Sequence, residues 1–107
     1  MGNDIWISEL MERISAFCKK RDWDKYHNPK DLAIGMSTES NELLDMFRFV
    51  SEEESWERMK DEDFKDHACE ELIDVLWFVI RFAEMNDIDL EESFNRKIAK
   101  NAEKYPE

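Results

Sequence analysis

The sequence predicts an all-α fold: a four-helix bundle with one short additional helix, assembled as an oligomer. Two observations point to helices. Apolar residues recur at i, i+3, i+4 and i+7 through most of the chain, the spacing of a single helix face. Only two Gly and two Pro interrupt it, too few for a loop-rich or all-β fold. A third points to assembly. At 107 residues, 42% of them hydrophobic, the chain makes one domain over 1–107 but buries a limited share of its surface. Trp6, Trp56, Trp77 and several Phe exceed what so small a core hides, so a homo-oligomer is expected.

Asn3 or Asp4 caps a first helix to about Asp22, with Ile7, Leu10, Met11, Ile14, Phe17 and Cys18 on one face. Arg21 to Asn28 breaks the period and reads as an aromatic-rich connection. Asn28-Pro29 starts the second helix: Asn suits the cap, and Pro the first helical position, where an N–H has no partner. That helix runs to about Val50, with Leu32, Ala33, Met36, Leu43, Leu44 and Phe47 as its stripe; Gly35 weakens it or admits a close neighbour. Ser51-Glu52-Glu53-Glu54 reads as a capping box for a short helix to about Lys60. Asp61 to Asp66 is a loop or the first turn of the third helix, which covers about His67 to Met85. The centre of that helix, Leu72 to Ile80, is apolar nearly all round and predicts burial on most sides. Asn86 suits a left-handed position just beyond it. Asp89-Leu90-Glu91-Glu92 opens a fourth helix to about Glu103, with Leu90, Phe94 and Ile98 facing inward.

A net charge of −12 and the lack of a basic stripe argue against binding a nucleic-acid polymer. An acidic protein that handles an anionic substrate needs a cation between the two, which directs attention to metal ligands. Cys18 and Cys69 have no paired spacing and fit free thiols in a reducing, cytoplasmic setting. The start of the chain lacks the basic and apolar regions of a signal peptide, and the longest apolar run, Val75 to Ile80, is too short to span a bilayer, so no membrane role is expected.

Most acidic residues read as solvated helix faces. Four do not. Glu39 and Glu42 lie three apart, hence on one helix face beside the apolar stripe. Glu71 and Asp74 repeat that spacing, with Asp74 inside the most apolar run. A lone carboxylate there costs several kcal/mol or takes up a proton. Two facing pairs cost more, and a divalent cation removes the conflict. Oxygen-only ligands suit Mg²⁺, with Mn²⁺ possible, rather than zinc. A di-iron bundle requires Glu-x-x-His, which the sequence lacks.

Glu39-x-x-Glu42, 28 intervening residues (43–70) and Glu71-x-x-Asp74 resemble the metal signature of the all-α nucleoside triphosphate pyrophosphatases. Arg21-Asp22-Trp23, Tyr26-His27-x-Pro29-Lys30-x-Leu32, Glu71-Leu72-x-Asp74-Val75-Leu76 and Lys97-x-x-x-Asn101-x-x-Lys104-Tyr105-Pro106 extend the resemblance to the MazG-like and dCTP-pyrophosphatase branch, over about Arg21 to Pro106. The resemblance implies hydrolysis of a nucleoside triphosphate, a dNTP by expectation, to monophosphate and pyrophosphate, with a role in housecleaning of the nucleotide pool. Glu39, Glu42, Glu71 and Asp74 would act as metal ligands and catalytic residues, with Glu39 or Glu42 orienting the attacking water or accepting its proton. It further implies that Trp23 packs on the base, and that Lys97 and Asn101, with Lys104 and Tyr105, hold the nucleotide. His27 reads as structural. Phe78 stands where relatives often carry Tyr. Arg48-Phe49-Val50 replaces a Trp of the dCTP-specific branch, leaving Phe49 to stack, and Ile14 is apolar where some relatives are polar. Base preference is therefore open. Two other classes are a non-catalytic nucleotide- or metal-binding helical module and a ligand-free helical interaction protein.

Overall fold

A computed structural model describes residues 6–107. Five α-helices follow one another: α1 (Ile7–Lys20), α2 (Pro29–Asp45), α3 (Glu52–Arg58), α4 (Glu62–Met85) and α5 (Leu90–Lys104), with a 3₁₀ turn at Asp24–Tyr26 between α1 and α2. No strand occurs among the described residues.

The caps explain most helix starts. Asn28 Oδ1 accepts from the Asp31 amide at 2.9 Å, with Pro29 in the first turn. Ser51 Oγ accepts from Glu54 N at 3.1 Å, and Asp89 Oδ1 from Glu92 N at 3.1 Å, as the two capping-box patterns predict. Asp61 caps α4 by accepting from Phe64 N at 2.9 Å, so the polar run 61–66 supplies the cap and first turn of that helix. The cap expected at Asn3 or Asp4 lies outside the described residues; α1 is described from Ile7, with Trp6 at the N-cap position.

Two ends differ from expectation. The second helix stops at Asp45 rather than Val50, because i→i+3 bonds from Met46 to Leu43 and from Phe47 to Leu44 tighten its last turn. The left-handed residue after α4 is Asp87 (φ 53°), not Asn86, whose side chain instead donates to Phe82 O at 2.8 Å. Ile88 N reaches Ala83 O and Asp87 N reaches Glu84 O, the paired bonds of a Schellman cap. The end of α1 repeats this: Asp22 has φ 57°, Trp23 N donates to Cys18 O at 3.0 Å, and Asp22 N donates to Lys19 O at 3.1 Å.

Packing is organised along α4. α2 lies antiparallel to it: His27, just before α2, meets Arg81, Gly35 meets Phe78, Glu39 meets Glu71 and Asp74, and Phe47 meets Phe64. A Cβ on Gly35 would stand 2.6 Å from Phe78 Cζ, so the glycine is what lets the ring seat against the α2 backbone. α1 covers another side of α4 through Ile14, Cys18 and Ile80, with Leu10, Met11, Leu76, Trp77 and Leu90 packed around them.

The near-complete burial expected for α4 does not occur within one chain. Leu72 and Ile73 are 56% and 54% exposed, because α1 and α2 cover only part of its circumference. The inward face expected for α5 is also largely open: Leu90 joins the core, whereas Phe94 and Ile98 are exposed.

Candidate functional site

Three carboxylates converge where α2 crosses α4. Glu39, Glu71 and Asp74 each present a ligand oxygen, and these oxygens lie within 4.8 Å of one another. The antiparallel register produces this meeting, since Glu39 is one turn beyond Gly35 and Asp74 one turn before Phe78. Glu71 Oε1 is also 3.1 Å from Nε2 of His67, one turn earlier on α4.

Loss of solvation pushes the Glu39 carboxyl above its usual 4.5, and the charges of Asp74, Glu71 and then Glu42 push the same way. Glu42 is thus an electrostatic neighbour of the cluster but stands outside its close set. Both Glu42 and Asp74 are exposed, while Glu39 and Glu71 are half-buried. This corrects the expectation that all four acids are withdrawn from water. An apolar stretch of sequence around Asp74 does not make a closed environment when Leu72 and Ile73 themselves face outward. Convergence, rather than burial, distinguishes these acids. The donors are all carboxylate oxygens, and among the described residues no Lys or Arg pairs with them, a set that fits a hard divalent cation.

The aromatic side lies toward α1. Trp23 meets Phe17 edge-on at 5.6 Å between centroids, and Phe17 meets Trp77 at 5.1 Å. Phe17 and Trp77, with Leu10, Arg13, Ile14 and Ile73, line a mainly apolar groove of about 330 Å³ between α1 and α4. Phe78 packs on α2 one turn from Asp74. Phe49 is 90% exposed in the turns after α2, with the Arg48 guanidinium 5.4 Å from its ring centroid. Lys97, Asn101, Lys104 and Tyr105 are exposed along α5 and its end, and among the described residues none is hydrogen-bonded to the carboxylate cluster. Lys104 lies 5.4 Å from the centroid of the Tyr105 ring.

Sequence reasoning overlooked Arg81. It is 1% exposed, and its guanidinium donates to three acceptors: Asp24, His27 Nδ1 (2.8 Å from Nε) and Glu84. His27, read as structural, is with Asp24 one of the two acceptors that tie the aromatic connection to α4. A charged residue directly after the apolar run Val75 to Ile80 was the available signal, because an arginine there must find buried partners.

Acids that converge from two antiparallel helices of an all-helical chain fit the nucleotide pyrophosphohydrolase class. The chain belongs to the MazG nucleotide pyrophosphohydrolase family, whose domain matches residues 28–107. It is similar to dCTP pyrophosphatase 1 of Mus musculus, 29% identical over 94% of this chain and 59% of that one. The Homo sapiens dCTP pyrophosphatase 1 is 28% identical over the same shares. The chain therefore spans about three fifths of the length of these relatives. The crystal structure of a pyrophosphatase from Archaeoglobus fulgidus superposes with a TM-score of 0.89 at 34% identity, covering 100% of this chain and 98% of that one. Among the described residues no helix is long and apolar enough to cross a membrane.

Proposed function

We propose that this protein is a Mg²⁺-dependent pyrophosphohydrolase, with Mn²⁺ as a substitute, that converts nucleoside triphosphates, principally dNTPs, to monophosphate and pyrophosphate. The observation that carries the reading is the convergence of Glu39, Glu71 and Asp74 in a chain whose relatives include dCTP pyrophosphatases. We further propose that residues 1–107 act as one domain and that the protein works in the cytoplasm to clear unwanted nucleotides.

Glu39, Glu71 and Asp74 would hold the cation, with Glu42 adding negative charge at the edge. A bound cation would supply charge neutralisation for the triphosphate and would make a bound water more acidic. Glu42 or Glu39 would orient the attacking water or accept its proton. Phe78, seated on α2 one turn from Asp74, would border the substrate beside the acids. Trp23 offers a ring face to the base, an interaction tolerant of base identity. The groove beside it is apolar at Ile14 and Phe49 is remote from packing, so the dCTP preference of the relatives does not extend automatically to this chain. Lys97 and Lys104 on α5 would supply positive charge to the phosphates, and Asn101 and Tyr105 hydrogen bonds to the nucleotide.

The homo-oligomer belongs to the same reading. The chain exposes 8786 Å², against about 6,300 Å² for a compact monomer of its mass. The excess is larger than the roughly 800 Å² per partner that a standard interface buries.

The test is a panel of canonical, oxidised and methylated dNTPs with inorganic pyrophosphatase and phosphate detection, with and without Mg²⁺. Turnover that requires the cation and is lost in Glu39→Gln and Asp74→Asn supports the reading. Helical protein that turns over none of the panel overturns it. Calorimetric binding of Mg²⁺-nucleotide without turnover would select the non-catalytic module instead.

A further inference from the structure

We propose that Arg81 is a positioning residue for the base end of the site: by gripping Asp24 and His27 it holds Trp23 at a set distance from the carboxylates. The proposal rests on the function proposed above and adds to it a residue that touches neither substrate nor metal.

Geometry makes the case. Arg81 is seven residues beyond Asp74, two turns along the same rigid helix, or about 10 Å. A group fixed at Arg81 is therefore displaced from the acids along α4 by a length comparable to that between the base and the phosphates of a nucleotide. The guanidinium is buried and spends its donors on both ends of the 3₁₀ turn, Asp24 at the start and His27 just after it, and on Glu84 of its own helix. Trp23 immediately precedes that turn. Its backbone amide is held by Cys18 O, its carbonyl accepts from Tyr26 N at 2.9 Å, and its indole lies edge-on between Phe17 and His27, at 5.6 and 6.5 Å between centroids. Trp23 is 39% exposed, so the residue is held by these contacts and still open to a ligand.

A lysine could not do this. Three acceptors in different directions match the planar fork of a guanidinium, whereas an ammonium on a flexible stem lacks that fixed geometry. The Nε bond also requires His27 Nδ1 to be unprotonated, consistent with burial and the neighbouring Arg81 charge both lowering the His27 pKa. Among the described residues no other side-chain hydrogen bond joins the segment from Asp24 to His27 to α4, so without the grip the Trp23 indole gains freedom that nucleotide binding must remove.

The experiment compares Arg81→Lys, Trp23→Ala and the double variant on the dNTP that the wild type turns over best. Each single variant should raise KM about tenfold, the scale of one lost base stack. Turnover number should stay within about twofold, because an interaction made equally in ground and transition states moves KM alone. The double variant should be no worse than Trp23→Ala. An unchanged KM in Arg81→Lys, or effects that multiply in the double variant, overturns the proposal. A merely structural role would instead lower the active fraction, and so the apparent kcat, at constant KM. A second readout needs no turnover. The Trp23 indole N–H resonance, assigned through Trp23→Phe, should shift or broaden in Arg81→Lys while that of Trp56 on α3 stays put. An unmoved Trp23 signal in folded Arg81→Lys overturns the grip, whereas wild-type protein that hydrolyses no triphosphate defeats the function reading; the two failures are thus told apart.

Discussion

Glu39 bears the electrostatic conflict of the site, since it loses solvation and faces Asp74, Glu71 and Glu42 at once. Its pKa is raised, so the folded state disfavours the ionised form. The destabilisation is present above the folded pKa and is relieved as pH falls through it toward 4.5. Glu39→Gln should therefore raise the melting temperature in EDTA near pH 8. With Mg²⁺ the order should reverse: the wild type gains about 2.7 kcal/mol at a free cation concentration of 100 Kd, and the variant gains little. Thermal melts in both buffers check the pair of outcomes. Gly35→Ala should cost about 1–3 kcal/mol by denaturant titration, the usual penalty for overpacking, because the new methyl meets the Phe78 ring. The carboxylate positions were legible from their i, i+3 spacing, and Gly35 from its place inside a helix. Their exposure was not legible, since it depends on what covers the far side of α4.

At the scale of the helices, caps were readable and crossings were not. Asn28, Ser51 and Asp89 announced their helices because a cap is a local bond between a side chain and an amide three residues on. Both Schellman ends place Asp rather than Gly in the left-handed position, which weakened the signal and moved the expected residue from Asp87 to Asn86. Asp87→Val should lower stability by about 1–2 kcal/mol, because a β-branched residue is strained at positive φ. The Arg81 grip joins positions more than fifty residues apart, beyond the reach of any periodicity. It leaves a pH signature through His27, whose pKa is lowered below 6.5, first by burial and then by Arg81. A depressed folded pKa means that the stability it confers is present above 6.5 and is lost as pH falls through the folded value. The urea midpoint of the wild type should fall below pH 6.5 more steeply than that of His27→Gln, in which an amide oxygen takes the acceptor role without titrating.

The whole molecule is more open than its length suggests. A radius of gyration of 16.5 Å compares with about 13 Å for a compact chain of this size. Phe94 and Ile98 on α5, and Leu72 and Ile73 on α4, are among the apolar residues that a single chain leaves in water. Light scattering at micromolar concentration should return a dimer or tetramer, and Phe94→Glu combined with Ile98→Glu should shift it toward monomer; a monomeric wild type would defeat the assembly. Helical class, element order, caps and the candidate acids follow from local rules of spacing and capping, which act within a few residues and are written into consecutive positions. Which acids meet, how far each stays in water, and that Arg81 ties the Trp23 segment to α4 are decided only when α2 docks antiparallel on α4 and α1 lies beside it, because those contacts depend on the relative placement of helices that no single stretch of sequence encodes.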